Sequence, residues 1–121
     1  MLRDVKLTGT TDASGDLTVN AAEQIAGLLM GIEWVIGTFD TGVDAVISLQ
    51  DAPGGVATTL LTLTNANANA FYNLRAAEHD NTGAAITGAY CYPLVAGKPR
   101  LVVSSGGNAK TGTCILYYTP L

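Results

Sequence analysis

Ile25-Ala-Gly-Leu-Leu-Met-Gly-Ile-Glu-Trp-Val-Ile-Gly-Thr38 is the stretch on which the fold turns. Ile25, Leu28, Leu29 and Ile32 satisfy the spacing of a helical stripe, whereas Ala26, Leu28, Met30, Ile32, Trp34 and Ile36 alternate without a break, as a strand requires. Composition separates the two. Gly27 and Gly31 would each cost a helix about 1 kcal/mol relative to alanine, and the second half is rich in β-branched and aromatic residues that suit a pleated surface. The segment reads as one long strand, with room for a helical turn only over Ala21 to Gln24.

The same alternation extends in both directions. Towards the N-terminus, Val5 and Leu7 alternate with Asp4, Lys6 and Thr8, and Asp12-Ala-Ser-Gly-Asp16 turns the chain into Leu17 and Val19, which predicts a first hairpin. Towards the C-terminus, Val43, Ala45, Ile47 and Leu49 face one way up to the turn Asp51-Ala-Pro-Gly-Gly55, and Leu61 and Leu63 alternate with Thr62 and Thr64. Asn65-Ala-Asn-Ala-Asn-Ala70 reads as a loop or as an edge displaying three amides on one face. Phe71 to Leu74 suits a short strand, and Arg75 to Ala85, dense in charge and without hydrophobic pattern, suits a long loop. Ile86, Gly88, Tyr90, Tyr92 and Leu94 alternate again, Leu101 and Val103 form another strand, and Ser104 to Gly112 turns into a last strand from Thr113 to Tyr118.

About eight short strands punctuated by Gly, Asn, Asp and Pro predict a single all-β domain over residues 1–121, an antiparallel β-sandwich of jelly-roll or other Greek-key type, with residues 1–8 as an N-terminal arm or edge strand. An immunoglobulin-like sandwich is the nearest competitor, but its Cys, Trp, Cys order is absent, because Trp34 precedes Cys91 and Cys114.

Charge and composition narrow the function classes. Only 13% of residues are charged against 48% apolar, about half the usual charged share. Some apolar or hydroxyl-rich surface is therefore expected to be covered by a neighbour. The net charge is −4 and the six basic residues are scattered, so no stripe for direct nucleic-acid binding is present. The charged start Met-Leu-Arg-Asp-Val-Lys has no apolar run behind it, which argues against a signal peptide, and no apolar stretch reaches the roughly 20 residues of a membrane span. A reducing cytosol is the expected site of synthesis, with Cys91 and Cys114 as two buried free thiols.

Candidate chemistry is sparse. His79, the sole histidine, lies in Glu78-His79-Asp80, where a carboxylate could orient it as a base, but no Gly-x-Ser-x-Gly elbow supplies a nucleophile, and a solvated loop or interface histidine is the better reading. Asp40, Asp44 and Asp51 do not have the spacing of a twelve-residue calcium loop, and Asp12 and Asp16 read as turn formers. Gly54-Gly55 and Gly106-Gly107 lack the Lys-Ser/Thr ending of a phosphate loop. Neither a catalytic residue, a metal nor a cofactor is expected. Tyr117 and Tyr118 must point to opposite faces, so one of them is expected on a surface.

Thr11-Asp-Ala-Ser-Gly-Asp16, Arg75-Ala-Ala-Glu-His-Asp-Asn-Thr-Gly-Ala-Ala85 and Val102-Val-Ser-Ser-Gly-Gly-Asn-Ala-Lys-Thr-Gly112 together resemble small proteins from the structural gene clusters of tailed bacteriophages. The resemblance implies a virion protein, most like the head decoration or cement proteins. It would sit on the outer surface of the head, bind the major capsid protein and form a dimer or trimer, after synthesis in the cytoplasm of the host bacterium. A tail component and a glycan-binding module are the alternatives. The residues expected at the interface are Leu2, Arg3, Arg75, Glu78, His79, Asp80 and Tyr118.

Overall fold

A computed structural model describes residues 1–51, 55 and 57–121. It contains ten strands: β1 (Arg3–Thr10), β2 (Leu17–Asn20), β3 (Ile25–Val35), β4 (Asp44–Gln50), β5 (Thr58–Leu63), β6 (Ala70–Tyr72), β7 (Ala76–His79), β8 (Ala85–Cys91), β9 (Leu94–Ser104) and β10 (Thr111–Pro120). One sheet runs β1-β10-β3-β6 and the other β2-β9-β4-β5, with every pairing antiparallel. The two join at a corner where Ile25–Leu28 of β3 pairs with Leu94–Gly97 of β9. The pairings are nested, because β4 meets β5, β3 meets β6, β2 meets β9 and β1 meets β10. The protein is thus an antiparallel β-sandwich. A separate hairpin, β7 with β8, pairs with neither sheet.

The long strand read from Ile25 onward is present, but its inward face changes parity half-way. Ile25, Gly27 and Leu29 point inward at first, then Ile32 and Trp34 do. The change coincides with an irregularity in the β3–β10 ladder, where Tyr117 faces Gly31 and Tyr118 faces Leu29, so Met30 is unpaired. A bulge of this kind inserts one residue and rotates every later side chain to the other face. It also explains the competing helical spacing, since Ile25, Leu29 and Ile32 lie four and three residues apart because the strand skips a beat. Ala26, Leu28 and Met30 therefore share no face with Trp34, contrary to the unbroken alternation expected of them.

Pro99 is buried inside β9, an unusual place for a residue without an N–H. Its position resolves the conflict. The edge of β9 that meets β3 is occupied up to Gly97, and the same edge next meets β2 from Arg100. The carbonyl of Pro99 accepts a hydrogen bond from Ala21 N–H at 2.8 Å on that side. The missing N–H thus falls where β9 has left one neighbour and not yet gained the next.

Between the sheets lies one hydrophobic cluster. Leu29, Ile32, Trp34, Cys114 and Leu116 of the first sheet meet Ala45, Ile47, Leu101 and Val103 of the second. Trp34 stacks on Phe39 with ring centroids 5.7 Å apart, and its Nε1–H donates to the Ala66 carbonyl at 2.9 Å.

Three local expectations are corrected, and one left open between two forms is decided. Leu17 and Val19 do not form a hairpin with β1; they lie across the sandwich from it, packed over Gly9, because β10 and β9 supply the ladders. Turn residues alone do not distinguish a hairpin from a crossing between sheets. The helical turn considered for Ala21 to Gln24 does not form, and the chain bends there. Arg75 to Ala85 is not a plain loop but the rise and tip of the β7–β8 hairpin. Its alternation is hidden by a register shift between Ala77 and His79 and by its solvation on both faces. Residues 1–8 belong to an edge strand, with Arg3 to Thr10 paired along their length to β10. The expected turn at Asp51 to Gly55 falls largely on residues outside those described.

Gly112 tests the core. A Cβ there would run into the Phe39 ring, which Trp34 holds from its other face. Gly112→Ala is expected to lower the unfolding free energy by about 1–3 kcal/mol, the usual range for overpacking, as measured by urea titration. An unchanged midpoint would refute this packing.

Candidate functional site

The sandwich has two unlike ends. One is closed by hydrogen bonds from its own loops. Asp12 Oδ1 accepts from Ser14 N–H (2.9 Å) and Asp16 N–H (3.0 Å), and the loop so formed receives Gly106 N–H on the Gly15 carbonyl at 3.0 Å. Thr11, buried, accepts from Lys110 N–H at 2.9 Å through its hydroxyl, and Lys110 Nζ reaches Asp40 Oδ1 at 3.8 Å. The asparagine run seals the same end. Asn67 Oδ1 accepts from Gly42 N–H at 2.7 Å and Asn69 Oδ1 from Ile36 N–H at 2.9 Å. Asn65 adopts φ +51°, a conformation asparagine tolerates better than most residues, and its N–H donates to Asp44 Oδ1 at 2.9 Å. These amides hold backbone rather than face solvent as a display, because the loop from Ile36 to Val43 has no ladder partner of its own.

The opposite end gathers the chain termini and the hairpin. Arg3 pairs with Tyr118, Tyr118 with Leu29, and Leu29 N–H donates to the Pro93 carbonyl at 2.9 Å, so the start of β1 and the base of the hairpin come to one end of the molecule. Leu121 N–H reaches the Ala26 carbonyl there too. Most of the large exposed apolar side chains collect at this end: Met1, Leu2, Ile86, Tyr90, Tyr92, Leu94 and Leu121. Tyr90 is 65% exposed and Leu94 69%. At the hairpin base the Arg75 guanidinium lies over the Tyr92 ring, 3.9 Å from its centroid, while its Nη1–H donates to the Leu74 carbonyl. At the hairpin tip, Asp80 Oδ1 accepts from the Thr82 hydroxyl (2.7 Å), Thr82 N–H (2.9 Å) and Ala84 N–H (3.1 Å). These bonds, the hydroxyl's first, hold the Asp80 carboxyl below the ordinary carboxylate value. A groove of about 480 Å³ runs beside the hairpin base, between β5 and the segment from Pro93 to Ala96.

Of the residues expected at an interface, Leu2, Arg3, Arg75, Glu78, His79 and Asp80 are all exposed at this end or on the hairpin that rises from it. Tyr118 is not: it is 9% exposed and belongs to the core. Along β10 the inward face runs Cys114, Leu116, Tyr118 without a break, so the tyrosine that turns outward is Tyr117. The Tyr117 hydroxyl donates to Glu33 Oε1 at 2.8 Å, and its ring packs beside Phe71 at 5.9 Å. The bond to Glu33, then desolvation, then the charges of Glu33 and Asp4 push the Tyr117 hydroxyl above its ordinary value. Ile86, Tyr90 and Leu94 were legible as an alternating run but not as an exposed one, because alternation does not say whether the apolar face has a partner. Leu121 carried no signal at all.

The chemical candidates are dispersed. His79 is exposed on β7. Asp44 opens β4 and Asp51 follows its end, about 24 Å apart at the usual rise per residue, so the two do not converge. Among the described residues no three His, Cys, Asp or Glu side chains come together as a metal site. No family model, curated protein or solved structure matches the chain.

Both thiols are free, but only Cys114 is buried; Cys91 is exposed on β8, which corrects the expectation of two buried thiols. Burial pushes the Cys114 thiol up to about 12 from 9.0, so thiolate is scarce there at neutral pH. A maleimide is expected to label one thiol per chain in the native protein and two in denaturant. Rapid native labelling of both would contradict the burial of Cys114.

Proposed function

We propose that this protein is a structural component of a tailed-phage particle, a head decoration or cement protein that seats on the major capsid protein and stabilises the shell from outside. The observation that carries the reading is the polarity of the sandwich: one end is closed by its own side chains, and the other exposes Met1, Leu2, Leu94, Leu121 and the hairpin. Exposed apolar side chains with exposed charges, Arg3 beside Leu2 and Arg75 at the hairpin base, have the composition of a docking surface.

The strand order supports the same reading. Leaving out β7 and β8, eight strands remain, and they pair first with eighth, second with seventh, third with sixth and fourth with fifth. A rolled-up ribbon, the jelly roll, would pair its strands in that order, with the β7–β8 hairpin as an insertion between the sixth and seventh, which supports that reading. Jelly rolls recur in viral capsid domains, lectins and cupins. The low charge content and the resemblance of the turn segments to phage structural proteins favour the first of these. A tail location would use the same docking end.

One observation favours a second reading, a glycan-binding module. Phe71 lies half-exposed across Gly31 on the outer face of the first sheet, with Tyr117 and the Glu33 carboxylate beside it, a surface on which a sugar ring could stack. The asparagine run lends that reading no support, since Asn67 and Asn69 are engaged with backbone.

Shells assembled without the protein supply the test. Adding the purified protein is expected to give saturable binding and greater resistance to heat and low salt. Leu2→Asp with Leu121→Asp is expected to weaken binding by at least about tenfold, the loss of one or two buried anchors. Shells equally resistant with and without the protein would sink the cement role, and saturable binding on a glycan array would favour the second reading.

A further inference from the structure

The hairpin poses a problem that the docking reading does not solve. A two-stranded hairpin is marginal alone in water, and this one pairs with neither sheet while exposing Ile86 and Tyr90. Among the described residues both of its outer edges are unpaired, as is the outer edge of β5, which pairs there with β4 alone. Open edges present rows of unpaired N–H and C=O groups that invite another strand. The groove beside β5 is walled mainly by Leu49, Leu60, Leu74, Pro93, Leu94 and Val95, and Arg75 is its one charged lining residue.

Charge identifies the occupant. Between Ala76 and Cys91 the hairpin carries Glu78 and Asp80 and no lysine or arginine. Among the described residues the sole ion pair is Lys110 with Asp40, so Arg75, Glu78 and Asp80 have no charge partner within their own chain. We infer that the β7–β8 hairpin of one chain lies in the groove beside β5 of a second copy of the same chain, whose own hairpin lies reciprocally in the first. A two-fold arrangement of this kind is isologous: one cationic base meets one acidic tip twice, and each open β5 edge gains a strand. The pairing covers Ile86, Tyr90 and the groove residue Leu94 and leaves Met1, Leu2 and Leu121 free to dock on a shell, so it goes beyond the docking reading without depending on it.

Sedimentation velocity of the purified full chain tests the pairing in the absence of any shell. The wild type is expected to be a dimer. Arg75→Glu and Glu78→Arg each place like charges together twice, and each is expected to raise the dissociation constant by at least about tenfold. The double variant restores opposite charges and is expected to recover the dimer. Ile86→Ser with Tyr90→Ser is expected to give monomers. All four positions are exposed, and a cooperative thermal melt together with the wild type's far-ultraviolet circular dichroism verifies that each variant folds. A monomeric wild type, single charge variants as dimeric as the wild type, or a double variant without recovery would each overturn the inference. A monomer that still binds shells would overturn it while leaving the docking reading intact.

Discussion

The indole of Trp34 ties the core of the sandwich to the loops at its closed end. Its ring fills the space between the sheets and stacks on Phe39, and its N–H reaches out of the core to the Ala66 carbonyl. Ala66 sits in the asparagine run, whose amides hold the backbone from Ile36 to Val43. A buried indole N–H without a partner would cost about 1–3 kcal/mol, so the position of that loop and the position of the ring depend on each other. The closed end of the sandwich is in this sense an extension of its core. The hairpin end has no counterpart of Trp34, and there the apolar side chains remain in contact with water.

How much of this is legible in the sequence depends on whether a residue's environment is local. The strands around Ile47, Leu63 and Leu101 alternate cleanly because their ladders are regular and one face is buried. β3 is legible as a strand, yet its inward face is not, because the bulge at Met30 depends on where β10 pairs, more than 80 residues further on by the strand numbering. Tyr118 differs, since its place in the core follows from plain alternation with Cys114 and Leu116 along β10. β7 and the hairpin tip are hidden for a different reason. They bury little against their own chain, so no hydrophobic pattern marks them, and the charged residues resemble a loop, whereas β8 is legible from its alternation.

The candidate site was legible as segments and not as a surface. Leu2 and Arg3 stood out as a terminus, and Arg75 to Asp80 as a charged stretch, but nothing local places them at one end of the sandwich. That follows from three successive pairings, Arg3 with Tyr118, Tyr118 with Leu29 and Leu29 with Pro93. The asparagine run illustrates the converse. Its regular spacing suggested a display, whereas its amides turned out to satisfy backbone groups that a crossing loop leaves without a ladder.

The nested pairing of strands also sets an order in time. β4 and β5 are neighbours in sequence, whereas β1 meets β10 across almost the whole chain, with Arg3 opposite Tyr118. Loop closure of that length is slow relative to local pairing. During synthesis β1 therefore waits without its ladder until β10 has left the ribosome, and for that interval its edge, carrying Val5 and Leu7, is open to any other strand nearby. Charged Arg3, Asp4 and Lys6 on that strand are well placed to discourage such mispairing.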